Sequence, residues 1–83
     1  MFDYLENPDI QKNNIKKIRT DLGLTITALS TLAGVSTKVI SQTERMLVNP
    51  TKVTKNKILI GLNSDSTFTE KKWEYEDVFP GDD

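Results

Sequence analysis

The chain has 83 residues, of which 36% are apolar and 28% are charged, and its formal net charge is −1, which suits one domain around one hydrophobic core. It contains no cysteine and no histidine, so disulfides, thiolate nucleophiles, imidazole bases and nearly all transition-metal sites are excluded. No Gly-rich loop or other catalytic signature frames the remaining carboxylates, lysines and hydroxyls, so we expect a binding protein with no enzymatic activity, cofactor or metal.

A first helix is predicted after a short acidic stretch. Ile15, Ile18 and Leu22 recur at helical spacing with basic residues between them, and this pattern is typical of an amphipathic helix. Gly23 suits the left-handed residue that commonly follows a helix. Either Asn7-Pro8 or Asn13 is a suitable start, so the N-terminal boundary stays open.

The middle of the chain is typical of two short helices joined by a tight turn. Thr25 is a suitable N-cap for a helix over residues 26–33, and Ser36 is a suitable N-cap for a third helix that ends at Thr43 or Glu44. Helices of about two turns are marginal alone and must be held by packing. The lengths, the turn and the caps together predict a helix-turn-helix.

Two further helices are predicted in the C-terminal half. Pro50 suits the first position of a fourth helix that runs to about Leu62. Residues 73–79 favour a short last helix, whose Trp73 and Phe79 close one end of the core. The expected fold is therefore all-α, a compact domain of four or five helices. Its predicted core comprises Ile15, Ile18, Leu22, Leu29, Val35, Ile40, Leu59 and Leu62.

Charge is unevenly distributed along the chain. Residues 10–64 hold nine basic and two acidic side chains (+7), whereas residues 1–9 balance at −3 and residues 65–83 at −5. A basic segment favours a polyanionic partner, although scattered lysines are also common on any solvated surface. We therefore describe one domain, residues 1–83, as a motif core, residues 14–62, followed by an acidic, aromatic tail.

The third predicted helix has one side that packs and one side that faces outward. At about 100° per residue, Val39, Ile40 and Thr43 fall on one side and four polar side chains fall within an arc on the other. A cation, a hydroxyl, an amide and a guanidinium are groups that read base edges or bind phosphate. The outward-facing residues are Lys38, Ser41, Gln42 and Arg45.

Several short motifs occur in a fixed order along the motif core, residues 14–62. They are Ile18-Arg19, Leu22-Gly23-Leu24-Thr25, Leu29, Gly34-Val35-Ser36, Ile40-Ser41, Glu44-Arg45 and Asn49-Pro50-Thr51. With these residues the segment resembles the helix-turn-helix family of phage repressors and Cro proteins, often called the xenobiotic-response-element (XRE) family. The resemblance implies sequence-specific binding of double-stranded DNA and repressor-like transcription regulation, and it leaves open a homodimer on a palindromic operator.

The resemblance also implies roles for single residues. Leu29, Val35 and Ile40 would lock the second helix to the third. Arg19 and Glu44 would form a structural ion pair between the first and third helices. The DNA-binding positions would be Thr25, Thr37, Lys38, Ser41, Gln42 and Arg45.

The alternative is an antitoxin-like or adaptor module that uses the same fold to bind protein. Three features favour it: the acidic tail, an Ile26 where the family often has a phosphate-contacting glutamine, and the apolar run Met46-Leu47-Val48. We expect that run to be partly buried. Ser30 and Thr43, which replace a small alanine and a larger apolar residue, should loosen the core slightly.

Both hypotheses place the protein in the cytoplasm. The N-terminus carries Asp3 and Glu6 where a signal peptide would have a basic lead and an apolar run. No apolar stretch approaches the roughly 18 residues of a membrane span. We therefore expect a cytoplasmic protein without membrane association.

Overall fold

The computed structural model describes residues 12–64 and 72–81, and every regular element in these two ranges is a helix. The expected all-α class is thus confirmed. No helix in these ranges is long and apolar enough to cross a membrane. The suggested cap at Asn7-Pro8 lies outside the described residues. The helices are α1 (Ile15–Asp21), α2 (Ile26–Ala33), α3 (Thr37–Glu44), α4 (Lys52–Ser64) and α5 (Tyr75–Val78).

Side-chain caps set the start of both α2 and α3. Thr25 Oγ1 accepts a hydrogen bond from Ala28 N at 2.9 Å, and Ser36 Oγ accepts one from Val39 N at 3.2 Å. Gly34 ends α2 with a φ of 71°, a left-handed conformation that glycine adopts without the steric penalty of a Cβ. The two helices therefore have the bounds that the sequence predicts.

The start of α1 is tied to the end of α3 by one asparagine. Asn14 precedes α1 but makes no side-chain cap hydrogen bond. Instead, Asn13 Oδ1 accepts from Ile15 N at 3.2 Å, and Asn13 Nδ2 donates to the carbonyl of Thr43 at 2.8 Å. Asn13 thus satisfies a backbone donor of α1 and a carbonyl at the far end of α3 together.

The predicted bounds of α4 are wrong by two residues at each end. The helix begins two residues after Pro50 and extends to Ser64, beyond Leu62. Thr51 precedes it, and its Oγ1 accepts from Thr54 N at 3.3 Å. The cap decides the start because its hydroxyl satisfies a first-turn N–H, and proline has no comparable acceptor side chain.

A close crossing of α2 and α4 forms the centre of the core. A Cβ built on Gly61 would lie 2.8 Å from Ala33 Cβ and 2.9 Å from the Ala33 backbone. Because this contact fixes the rotation of α4, Ile58 is fully buried and Leu59, a predicted core residue, is only partly buried at its edge. The buried apolar residues are Ile15, Ile18, Leu29, Ala33, Val35, Ile40, Ile58, Leu62, Val78 and Phe79.

Six of the eight predicted core residues are therefore buried, and two predictions need correction. Leu22 and Leu59 are partly buried residues packed against the cluster rather than members of it. The buried positions of α4 are instead Lys55, Ile58, Gly61 and Leu62. Of the two aromatic residues predicted to close one end, Phe79 is 1% exposed and Trp73 is partly buried against the cluster.

α5 is held at both ends by hydrogen bonds to the rest of the domain. Asn14 N donates to the carbonyl of Val78 at 2.8 Å. The side-chain amide of Asn63 donates to the carbonyl of Trp73 at 3.0 Å and accepts from its backbone N–H at 2.7 Å. α5 therefore connects the end of α4 to the start of α1.

α5 is shorter than residues 73–79, the predicted range. A capping box between Glu74 and Asp77 sets its first turn. Two lysines of α4 lie over its aromatic rings, with the Lys52 ammonium 5.3 Å from the Tyr75 ring centroid. The second lysine, Lys55, is buried on α4, with its ammonium 5.5 Å from the Phe79 ring centroid.

Candidate nucleic-acid interface

The turn before α3 is hydrogen-bonded to α2. Ser30 Oγ donates to the carbonyl of Val35 at 2.5 Å, and Val35 N donates to the carbonyl of Ser30 at 3.3 Å. Ile40, one turn into α3, is fully buried. The Ser30 hydroxyl therefore has a role that the sequence did not predict, because it ties the turn that positions α3 to α2.

The two sides of α3 differ in burial as the helical period predicts. Ile40 is 0% exposed and Thr43 is 1% exposed. The Thr43 hydroxyl has no hydrogen-bond partner among the described residues. On the other side, Lys38 and Arg45 are exposed and Ser41 and Gln42 are half-buried; Thr37, in the first turn of α3, is exposed as well.

At the start of α2, Thr25 offers a polar group to a ligand and Ile26 does not. Thr25 is exposed, and its oxygen is engaged as the helix cap, which leaves its hydroxyl proton available to an acceptor. Ile26 is half-buried and packs against the core. The residue that stands in the place of the family's glutamine is therefore a packing residue.

Arg19 and Glu44 form an ion pair that joins α1 to the end of α3. Arg19 Nε donates to Glu44 Oε2 at 2.6 Å, Nη2 donates to Oε1 at 3.1 Å, and Nη1 donates to the carbonyl of Leu24 at 2.8 Å. The two side chains are 10% and 4% exposed. Because its donors point inward, Arg19 orients α3 and does not itself present a cation to a ligand.

The surface around α3 is poor in negative charge. No acidic residue occurs between Gly23 and Thr43, and the carboxylate of Glu44 is occupied by Arg19. Within residues 12–64 and 72–81, no carboxylate forms an ion pair with Lys38 or Arg45. These two cations are therefore available to an anionic partner.

Comparisons of the chain with family models, with curated proteins and with solved structures found no match. The resemblance described above therefore remains a prediction.

The loop after α3 is only partly buried. Met46 and Val48 are half-buried as expected, but Leu47 is 54% exposed, which corrects the prediction for that residue. Met46 has a φ of 61°, a left-handed conformation in which a residue with a Cβ is strained.

Three polar side chains have contacts that were not predicted from the sequence: Asn13 and Ser30 beside α3, and Lys55 on α4. Asn13 donates to the carbonyl of Thr43, 30 positions away, and Ser30 donates to the carbonyl of Val35, five positions away in the turn before α3. Lys55 is buried against Phe79, although a lysine is usually exposed. Asn13 is a predicted start of α1, but its bond to Thr43 depends on tertiary packing and has no local sequence signal.

Proposed function

We propose that this protein is a cytoplasmic, non-enzymatic DNA-binding protein that recognises double-stranded DNA through α3 and acts as a repressor-like transcriptional regulator. The observation that carries this proposal is the solvent-facing arc of α3. It presents a cation, a hydroxyl, an amide and a guanidinium on a helix that is bonded to its neighbours at both ends.

The groups on this arc suit both parts of duplex recognition. The amide of Gln42 can donate to and accept from one adenine edge in the major groove, and Lys38 can contact guanine or phosphate. The hydroxyls of Thr25 and Thr37, at the starts of α2 and α3, lie where unpaired backbone N–H groups and the helix dipole favour phosphate. Ser41 and Arg45 complete the outward-facing arc.

Changes to Gln42 and Lys38 should weaken binding in different ways. After selection of a preferred duplex from random DNA, Gln42→Ala should cost about 1–3 kcal/mol on that duplex and change affinity for random DNA little. If Lys38 contacts phosphate, Lys38→Ala should weaken binding to all duplexes and lower the salt slope by about one unit. If Lys38 instead contacts guanine, Lys38→Ala should weaken binding to the selected duplex only, as Gln42→Ala does.

The matched control is Lys72→Ala, which removes the same charge beside the end of α4 and should leave both measurements unchanged. Circular dichroism should show all three variants folded, because these side chains are exposed or half-buried. Unchanged binding of the selected duplex by both α3 variants would refute the assignment of α3. A selected site with two half-sites about 34 Å apart would indicate the homodimer.

The second candidate function is a protein-interaction module, and exposed Leu47 is the observation that favours it. An apolar side chain beside α3 suits a protein partner better than phosphate. Electrophoretic binding to a random duplex separates the two functions, since phosphate contacts release counterions and make affinity fall steeply with salt. A flat salt response would favour the interaction module.

A further inference from the structure

The start of α1 lies beside the C-terminal end of α3. Two contacts establish this placement: the 2.8 Å hydrogen bond from Asn13 Nδ2 to the carbonyl of Thr43, and the ion pair between Arg19 and Glu44. Residues 12–19 therefore border the surface on which Arg45 is exposed. This border contains further cations.

Two adjacent lysines of α1 point to different sides. Successive residues lie about 100° apart, so the direction of Lys16 is about 60° from that of Arg19, whereas Lys17 is about 160° away. Lys17 pairs with Asp21 at 3.5 Å and lines a pocket with Trp73, next to α5. Lys16 is thus on the α3 side of α1, and Lys17 is on the α5 side.

The cations on the α3 side are accessible and have no competing carboxylate in the described ranges. Lys12, Lys16 and Arg45 are all exposed. The only acidic residues between positions 12 and 64 are Asp21 and Glu44, and each is engaged by another cation. Lys16 and Arg45 therefore lie on the side of the C-terminal end of α3, and Lys12 directly precedes Asn13, whose side chain binds that end.

We propose that Lys12 and Lys16 form, together with Arg45, a second phosphate-binding point at the C-terminal end of α3. The ligand is the sugar-phosphate backbone that borders the groove occupied by α3, so this contact is independent of base sequence. The inference rests on the proposed function and deepens it, because it assigns the backbone contact to named residues of α1. Asn13 serves as the positioning residue for this point.

A structural role for the same lysines predicts different behaviour. Carbonyl groups at the C-terminal end of a helix carry partial negative charge, and nearby cations stabilise the helix. In that case, removal of Lys12 and Lys16 would lower the melting temperature and leave the salt dependence of DNA binding unchanged. The phosphate contact predicts the reverse.

The experiment measures affinity for a random duplex as a function of salt, using the full chain. We expect Lys16→Gln to lower the slope of log K against log salt by about one unit, and Lys12→Gln with Lys16→Gln to lower it by about two. The ratio of affinities for selected and random duplexes should stay the same. Lys17→Gln is the matched control, since it removes the same charge one residue away, and it should leave the slope unchanged.

Two results would overturn this inference alone. They are an unchanged slope in the double variant, and an equal decrease for Lys16→Gln and Lys17→Gln, which would reflect overall charge and not a contact. If the unmodified chain shows no salt-dependent DNA binding, both the inference and the proposed function are overturned.

Discussion

At the scale of single residues, the buried ion pair between Arg19 and Glu44 is a contact whose loss should lower the stability of the fold. Glu44→Gln keeps the shape of the side chain but leaves the guanidinium, 10% exposed, without its counter-charge. Removal of one partner of a buried pair typically costs 3–5 kcal/mol, so we expect about 3 kcal/mol of destabilisation. The free energy of unfolding from urea titrations measures it.

Asp21→Asn provides the control for this prediction. It breaks the pair with Lys17, whose side chains are 78% and 61% exposed, and pairs of this kind are worth about 0–1 kcal/mol because water and salt screen them. Equal losses of stability in Glu44→Gln and Asp21→Asn would show that burial of the Arg19 pair does not matter.

At the scale of helices, the contact between Gly61 and Ala33 determines how α4 lies on α2. Gly61→Ala should improve the intrinsic helix propensity by about 1 kcal/mol. However, the added Cβ would lie 2.8–2.9 Å from Ala33 atoms, two of them backbone atoms that cannot move aside. Overpacking of this kind costs about 1–3 kcal/mol, so we expect a net loss of stability in thermal denaturation.

The matched variant is Asn56→Ala, which makes a similar gain in helix propensity at an exposed position of α4. It should raise the melting temperature slightly. If Gly61→Ala raised the melting temperature as well, the close crossing of α2 and α4 would be wrong.

Sequence alone predicts the helices of this domain where local chemistry defines them. Thr25, Gly34 and Ser36 fix the bounds of α2 and α3 through hydrogen bonds and a backbone conformation that lie within a few residues. The buried side of α4 is harder to predict, because residues 58–62 are apolar at every position except Gly61. Helical spacing then fits several rotations, and a contact with a distant helix selects Ile58.

The candidate site divides in the same way. The outward-facing side of α3 is predicted by period alone, since Ile40 and Thr43 mark the buried side. The contact between the start of α1 and the end of that helix is not predicted, because Asn13 and Thr43 are 30 positions apart in the chain. A polar side chain whose partner is distant has no local pattern that identifies it.

At the scale of the whole molecule, α5 should unfold together with the four other helices. Trp73 is the only tryptophan in the chain and is held to α4 by two hydrogen bonds with Asn63. Its fluorescence therefore reports on α5, whereas far-ultraviolet circular dichroism reports on all helices. We expect the two thermal transitions to coincide, as in a two-state domain.

A fluorescence transition at lower temperature would show that α5 detaches before the core melts. Asn63→Ala is the variant expected to separate the fluorescence transition from the circular-dichroism transition. It removes both hydrogen bonds to Trp73 and leaves Val78 and Phe79 in place. Asn56→Ala, which deletes an amide on the exposed side of the same helix, should leave them together.

The bond from Asn14 to the α5 carbonyls has a consequence for how the protein is made. Asn14 Nδ2 donates to the carbonyl of Asp77 at 2.9 Å across 63 residues of sequence, and its backbone N–H donates to Val78. During synthesis α1 leaves the ribosome before α5, so these hydrogen bonds form only after both segments have emerged. The core can close only after Phe79 has emerged, so we expect nascent chains that stop at Ser64 to remain sensitive to protease.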